Sequence, residues 1–299
     1  MSERLLVTDA RGIAPWAASL RALERSITYP LADGAERFFI DHGADYHPFF
    51  SALGDPRFLL ALDGARVVGS IAGVFRTARV GDQALPSVYL CDLKVEASRR
   101  GTGLARRMAG LALWRAATDP SLWRWRIAYG AAMRGARGDV TRSVRGMHPG
   151  RLLAPEAVLA VYFVPAGTLA ALDPSGCPGA PEGAGLDLSP GLRDDIVRTA
   201  GRKDLRLVST GAPWPLAHLP RGPREWSPSL GAYLRACGAR VADEDHPAAL
   251  TCFALDRRLA RHVAWLADRG VSADTACTVY TLRLGVRRAP WTHLATSEI

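Results

Sequence analysis

No run of about 18 apolar residues occurs anywhere in this 299-residue chain, which excludes a membrane-spanning helix. The opening MSERLLVTDARG lacks the long apolar core of a secretory signal, so a cytoplasmic protein without a membrane partner is expected. Cysteine is sparse: Cys91, Cys177, Cys237, Cys252 and Cys277 are odd in number, widely spaced and form no C-x-x-C pair. That pattern argues against both a disulfide framework and a structural zinc site. The phosphate-loop pattern G-x-x-x-x-G-K-[ST] is missing, and the one G-x-G candidate fails as G-x-G-x-x-G after its second glycine. A disordered composition is missing too, since 48% of residues are apolar and 22% charged.

Lysine is nearly absent. Of 38 basic side chains only Lys94 and Lys203 are lysines, a bias that fits a GC-rich genome as well as any function. The net charge of +9 is nevertheless uneven, with twelve arginines against Asp119 and Asp139 between Arg99 and Arg151. So local a field suits a polyanion, either nucleic acid or a phosphorylated cofactor.

The N-terminal half is the more regular. IAPWAASLRALERSI carries apolar residues near helical spacing. FLLALDGARVVGSIAGVF reads as two strands around the hairpin signal Asp63-Gly64. SVYLCDLKV is a third strand with Asp92 and Lys94 on one face. A helix follows, with Leu104, Met108 and Leu111 along one side, and Asp119-Pro120 ends it. LWRWRIAYGAAM and AVLAVYFVPA read as strands, and GDVTRSVRGM between them as at most a short helix. The Pro- and Gly-dense segment 171–191 reads as a linker. Beyond it, SLGAYLRACGARV and RRLARHVAWLADRG look helical, and ALTCFAL and CTVYTLRLG strand-like.

The stretch DLKVEASRRGTGLARRMAGLAL hands a strand to a helix through a glycine-rich, doubly basic turn. Such a turn gathers unpaired first-turn amides at the positive end of a helix, a place suited to phosphate. Gly101 and Gly103 let the main chain approach an anion without a Cβ in the way. Arg100, Gly103 and Ala105 spell R-x-x-G-x-A, which resembles the acyl-CoA-binding motif Q/R-x-x-G-x-G/A of the GNAT superfamily of N-acyltransferases. The resemblance covers roughly residues 4–168 through its order of helix, hairpin, strand, turn, helix, strand.

The resemblance implies an α/β fold with a mixed, largely antiparallel central sheet flanked by helices. It implies a catalytic domain over 1–170, the linker over 171–191, and a second, smaller α/β domain over 192–299 that is a candidate degenerate copy of the first. It implies acetyl-CoA, or another acyl-CoA, as acyl donor without a metal, and a small-molecule or peptide amine as acceptor. The pyrophosphate would lie on the amides of Arg100, Gly101, Thr102, Gly103, Leu104 and Ala105. Pantetheine would run beside Leu93, Lys94 and Val95, and an amide near Val95 would bind the oxyanion. Such enzymes work by direct attack in a ternary complex.

A protonated amine must lose its proton, and Asp92 and Glu96 are the carboxylates nearest the central strand. Many family members place a proton-donating Tyr in the short helix after the fifth strand. The corresponding segment here, ARGDVTRSVRGM, has none, leaving Tyr129 and Ser143 as substitutes. Asp33, Glu36, Asp41 and Asp45 either face a cationic amine or form a solvated helix face. His42 and His47 match no familiar metal spacing and are expected to be structural or to border the acceptor. WRWR alternates aromatics with cations, as single-strand binders do, but in a strand that is ordinary amphipathic packing. Alternatives to an acetyltransferase are a long-chain N-acyltransferase using acyl-CoA or acyl-carrier protein, and a non-catalytic protein binding acyl-CoA or nucleic acid. A homodimer is the candidate oligomer.

Overall fold

The structure is a computed structural model that describes residues 3–31, 36–122, 125–135, 138–139, 153–191 and 194–299. Strand β1 (Arg4–Asp9) precedes helix α1 (Ala17–Arg25), the strands β2 (Tyr29–Leu31) and β3 (Glu36–Asp41), and the short α2 (Pro48–Leu53). Strands β4 (Asp55–Asp63), β5 (Arg66–Val80) and β6 (Gln83–Val95) then lead into α3 (Leu104–Thr118), followed by β7 (Ile127–Gly135) and β8 (Gly138–Asp139). After β9 (Ala154–Pro165) come α4 (Ala166–Ala170), β10 (Leu186–Asp187), β11 (Asp204–Leu207) and β12 (Leu216–His218). The chain continues through α5 (Leu230–Glu244), β13 (Leu250–Asp256), α6 (Ala260–Ala267), β14 (Thr275–Arg283) and β15 (Thr292–His293).

Among the described residues one 12-stranded sheet runs β1-β4-β5-β6-β7-β14-β9-β13-β12, and β11-β3-β2 form a separate three-stranded sheet. Neighbours are mostly antiparallel. The exception that positions the site is β6 with β7, which are parallel because α3 carries the chain across between them. β14 sits between β7 and β9, so a strand from late in the chain completes the sheet of the first half.

The hairpin at Asp63-Gly64 forms as its sequence predicts, with Gly64 at φ +62. Alternation along β4 explains the two layers beside it. Leu59 and Ala61 pack with Val68 against Leu104 and Met108 of α3. Phe58, Leu60 and Leu62 point the other way, into a cluster with Leu20, Leu23, Tyr46 and Phe50. Fully burying each such Leu, Met or Phe contributes roughly 1.5–3 kcal/mol. β9 is likewise shared: Leu159 and Val161 join this first core, while Ala160, Tyr162 and Val164 join a second around α5 and α6. Tyr162 stacks on Phe253 of β13 with ring centroids 4.7 Å apart.

Two readings are corrected. Residues 36–41 are strand rather than a helix face: the apolar run Phe38-Phe39-Ile40 lies between charged ends and pairs with β11 on one edge, and residues 36–38 pair with β2 on the other. The strand expected from Leu122 begins only at Ile127; Trp125 and Arg126 precede it, and Arg126 is drawn to the Leu284 carbonyl instead. Trp123, Arg124, Asp33 and Ser143 lie outside the described residues, as does most of GDVTRSVRGM, whose first two residues are β8. The Pro- and Gly-rich segment packs closely: Leu186 and Leu188 are fully buried and β10 pairs with both β5 and β15. No helix among the described residues is long and apolar enough to cross a membrane.

Candidate functional site

β6 and β7 pair only from Ser87↔Ile127 to Leu90↔Gly130, and beyond that point they part. The cause lies on the other edge of β6. Ser70 pairs with Lys94 but Ala72 pairs with Cys91, so β6 holds one residue more than β5 over this span. That extra residue is a bulge, and Asp92 in it takes φ +56, a left-handed conformation uncommon for a residue with a side chain. Ser70 Oγ donates to the Asp92 carbonyl at 3.3 Å. The stretch Cys91–Val95 is thereby left without β7 as a partner, with Leu93 exposed on it. An extended ligand can add to such an edge as a strand would.

The turn after β6 has the form its glycines require. Gly101 and Gly103 take φ +79 and +82, and Gly103 caps α3 with no side chain on the first-turn amides. Space beside Gly101 is open within 4 Å of where a Cβ would stand. Of the local arginines, Arg99 pairs with Asp63 and Glu3, and Arg107 with Glu3. Arg100 and Arg106 have no carboxylate partner among the described residues; the Arg100 Nε donates to the Val95 carbonyl at 3.2 Å. Free amides from Gly101 onward, a helix N-terminus and two guanidiniums without a carboxylate partner among the described residues form a donor set that suits a pyrophosphate, so these residues fit the phosphate end of CoA.

Behind the bulge lies a buried polar cluster. Lys94 Nζ donates to Glu24 Oε1 at 2.8 Å and to the Asp92 carboxylate. Tyr46 donates its hydroxyl to the other Asp92 oxygen. His42 Nδ1 lies 2.5 Å from Glu24 Oε1, and the His42 amide donates to Glu24 Oε2 at 3.2 Å. Burial works against the Asp92 charge, but Lys94 and His42 outweigh it and hold the carboxyl below its ordinary pKa. Burial also opposes the Lys94 charge, and Asp92 and Glu24 outweigh it and raise that pKa. Glu24, His42 and Asp92 bring their ligand atoms within 4.8 Å of one another, a spacing suited to a metal. The cation bonded to both carboxylates there is the Lys94 ammonium.

The other candidates lie apart. Glu96 pairs with Arg66 at 3.3 Å and accepts from Ser98 Oγ at 3.0 Å. Tyr129 is fully buried, stacks on Tyr89 at 4.9 Å, and donates to the Leu188 carbonyl at 3.1 Å; burial raises its pKa well above that of a free tyrosine. Leu93 and Val95 lie on the open edge, whereas the Lys94 side chain turns inward, leaving only its main chain for a ligand.

Two groups near the bulge come from the second half of the chain, where no motif marked them. Lys203 Nζ donates to the main-chain oxygen of Ile299 at 2.5 Å and the Ser297 carbonyl at 3.5 Å, and lies 4.9 Å from the Phe49 ring centre. Burial pulls its pKa down to about 8, against the pull of Cys91 and Asp92. Glu298 accepts two bonds from Arg76, at 2.7 and 3.0 Å, and a third from Ser189. Glu24 did leave a trace in the sequence: it falls on the apolar face of α1 with Leu20 and Leu23, where a carboxylate needs a partner.

No protein-family model matches the sequence, and no curated protein sequence matches it. Solved structures do match. N-myristoyltransferase of Saccharomyces cerevisiae with bound myristoyl-CoA aligns over 96% of this chain and 80% of its own, with TM-score 0.53 and 11% identity. A tandem GNAT protein from the clavulanic acid biosynthesis pathway aligns over 95% of this chain and all of its own (100%), with TM-score 0.50 and 13% identity. At such identities the likeness is one of architecture, and it runs the length of the chain. This chain has the α/β fold of the GNAT N-acyltransferases and N-myristoyltransferases: a large, mostly antiparallel sheet flanked by helices.

Proposed function

We propose that the protein is an acyl-CoA-dependent N-acyltransferase that transfers an acyl group, acetyl in the simplest case, to a primary amine. The observation that carries this reading is the parting of β6 from β7 at the Asp92 bulge, directly before the Gly101–Gly103 turn. One ligand with an extended polar arm and a pyrophosphate matches both features at once. The amides of Gly101 to Ala105 would take the phosphates. The Arg100 amide, expected among them, donates instead to the Ala97 carbonyl at 3.2 Å, so Arg100 would contribute through its side chain, with Arg106 adding charge. The arm would lie along Leu93, Lys94 and Val95. On this reading 1–170 carries the cofactor site, 171–191 links the halves, and 192–299 shapes the acceptor side.

The reaction itself needs no covalent enzyme intermediate. The amine nitrogen attacks the thioester carbonyl, the C–S bond breaks, the attacking nitrogen gives up a proton, and the CoA thiolate takes one. Asp92 is poorly suited to accept that proton directly, because Lys94 and Tyr46 already hold its charge. Its role on this reading is to fix the bulge and Lys94. Glu96 at the end of β6, an ordered water, or a group from the second half would then take the proton.

The test is to incubate the protein with donors from acetyl-CoA to myristoyl-CoA and a panel of amines, following free thiol. Thiol release that requires both an acyl-CoA and an amine is the expected result, and the preferred donor length separates acetyl from long-chain transfer. Failure of every acyl-CoA to shift the thermal midpoint of cofactor-free protein would sink the proposal.

A further inference from the structure

A cleft of about 560 Å³ opens between α1, the start of the β3–α2 connection and β11. Arg21 and Arg25 of α1 line it, one helical turn apart, with Phe39 and Asp41 of β3 and Arg206 of β11. The sequence raised the prospect that the acidic residues of this region face a cationic amine. The structure shows Glu36 accepting from the Arg37 amide and from Ser209. Asp41 accepts from the Gly43 amide at 2.9 Å and from Arg206 Nε at 2.8 Å. Both are committed to the chain itself.

The arginines are not equally committed. Arg206 is shared between Asp41, Asp204 and the Gly211 carbonyl. Among the described residues Arg21 and Arg25 have no carboxylate partner, and the buried Arg21 Nε has no hydrogen-bond acceptor. With three guanidiniums against Asp41 and Asp204, the cleft keeps an excess of positive charge. A pair of guanidiniums one turn apart, one holding an unused buried donor, can present paired N–H groups to the several acceptor oxygens of a carboxylate or phosphate. Phe39 offers an apolar wall to the carbon skeleton behind it. The cleft also adjoins the bulge through side chains: His42 lies between Asp41 and Gly43, contacts Glu24, and Glu24 contacts Lys94 of β6.

We infer that this cleft binds an anionic group, a carboxylate or phosphate, carried by the amine acceptor itself. This rests on the acyltransferase reading above, and the test separates the two. Binding of succinate and of inorganic phosphate is measured by calorimetry on the full chain, for wild type and for Arg21→Gln/Arg25→Gln. Arg25→Gln alone, at an exposed position, serves should the double variant fail to fold. Because only the loss on substitution is counted, phosphate held at the Gly101–Gly103 turn does not interfere. In parallel, acylation of 4-aminobutyrate and phosphoethanolamine is compared with that of butylamine.

The expected result is a tenfold or greater weakening of anion binding in the variant. A preference for one anionic amine over butylamine should be expressed in KM and lost on substitution; whichever amine shows it names the source, carboxylate or phosphate. Anion binding that the variants leave unchanged, or that wild type lacks, overturns the inference even where CoA binds and thiol is released. Anion binding without any preference among the amines overturns the assignment to the acceptor. If no acyl-CoA binds at all, the acyltransferase reading fails on its own evidence, and the acceptor assignment falls with it.

Discussion

Lys94 and Lys203, the only two lysines in the chain, are both buried beside the Cys91-Asp92 step of β6, and their proton affinities are displaced in opposite directions. Lys94 has two side-chain carboxylates on its ammonium; among the described residues Lys203 has main-chain oxygens of Ser297 and Ile299 and an aromatic face, with no side-chain carboxylate bonded to it. Where arginine is otherwise used throughout, these positions hold lysine, which unlike arginine can give up its charge.

Stability should therefore rise between pH 8 and 10.5 through Lys203. Below about 8 its amine is charged in both folded and unfolded chains, and the folded state carries the burial cost. Between the two values the folded protein has released the proton while the unfolded chain still holds it, so raising pH favours folding. At about 1.4 kcal/mol per unit the whole excursion is on the order of 3 kcal/mol. Tyr46, Tyr89 and Tyr129, with pKa values raised by burial, act the other way above pH 10. Urea denaturation of wild type against Lys203→Met isolates the lysine: the difference should narrow on the acid side and grow in favour of wild type as pH rises.

Asp92→Asn should cost about 3–5 kcal/mol, the range for breaking a buried ion pair, because Lys94 loses one of its two carboxylates. Any loss of turnover in this variant has to be read beside that destabilisation. A fully stable Asp92→Asn with a large fall in kcat would return Asp92 to the role of base.

At the turn, Gly103→Glu should abolish stabilisation by CoA. A side chain is strained at φ +82, and the new carboxylate would repel phosphate at the helix N-terminus. At about 100 Kd of ligand, wild type should gain roughly 2.7 kcal/mol, and the variant nothing measurable by thermal unfolding.

Tyr129→Phe removes a hydroxyl whose bond goes to the Leu188 carbonyl. About 1 kcal/mol of stability should be lost, with kcat changed less than threefold. A tenfold fall in kcat, largest for the most nucleophilic amines, would instead make Tyr129 the donor to the leaving thiolate.

Glu298→Ala should destabilise by about 3–5 kcal/mol, since it strands the buried Arg76 guanidinium and unties Ser189. Glu298→Gln, which can still accept one bond, should recover part of the loss in the same denaturation series.

The turn and its flanking strand and helix were legible because each signal is local. Asp63-Gly64, the spacing of Leu104 and Met108, and Asp119-Pro120 all act within a few residues. The bulge was not legible. It is a mismatch between β5 and β6, and neither strand shows it alone. Asp92 and Lys94 were read as facing the same way, but their partners Glu24, His42 and Tyr46 arrive from elements that sequence spacing does not connect. The acidic stretch around Asp41 misled because charge was counted without its pairing to Arg206, some 165 residues away.

The seat of β14 between β7 and β9 bears on how the protein is made. A growing chain that has released residues up to Pro165 shows both neighbours of that strand with nothing to fill the gap, and two unpaired edges invite association with other nascent chains. The gap closes only when Thr275–Arg283 emerges, so the far edge of β7, the strand that parts from β6 at the bulge, is paired late in synthesis. Ribosomes stalled between these points should hold chains that bind hydrophobic-segment chaperones and gain no protection from CoA.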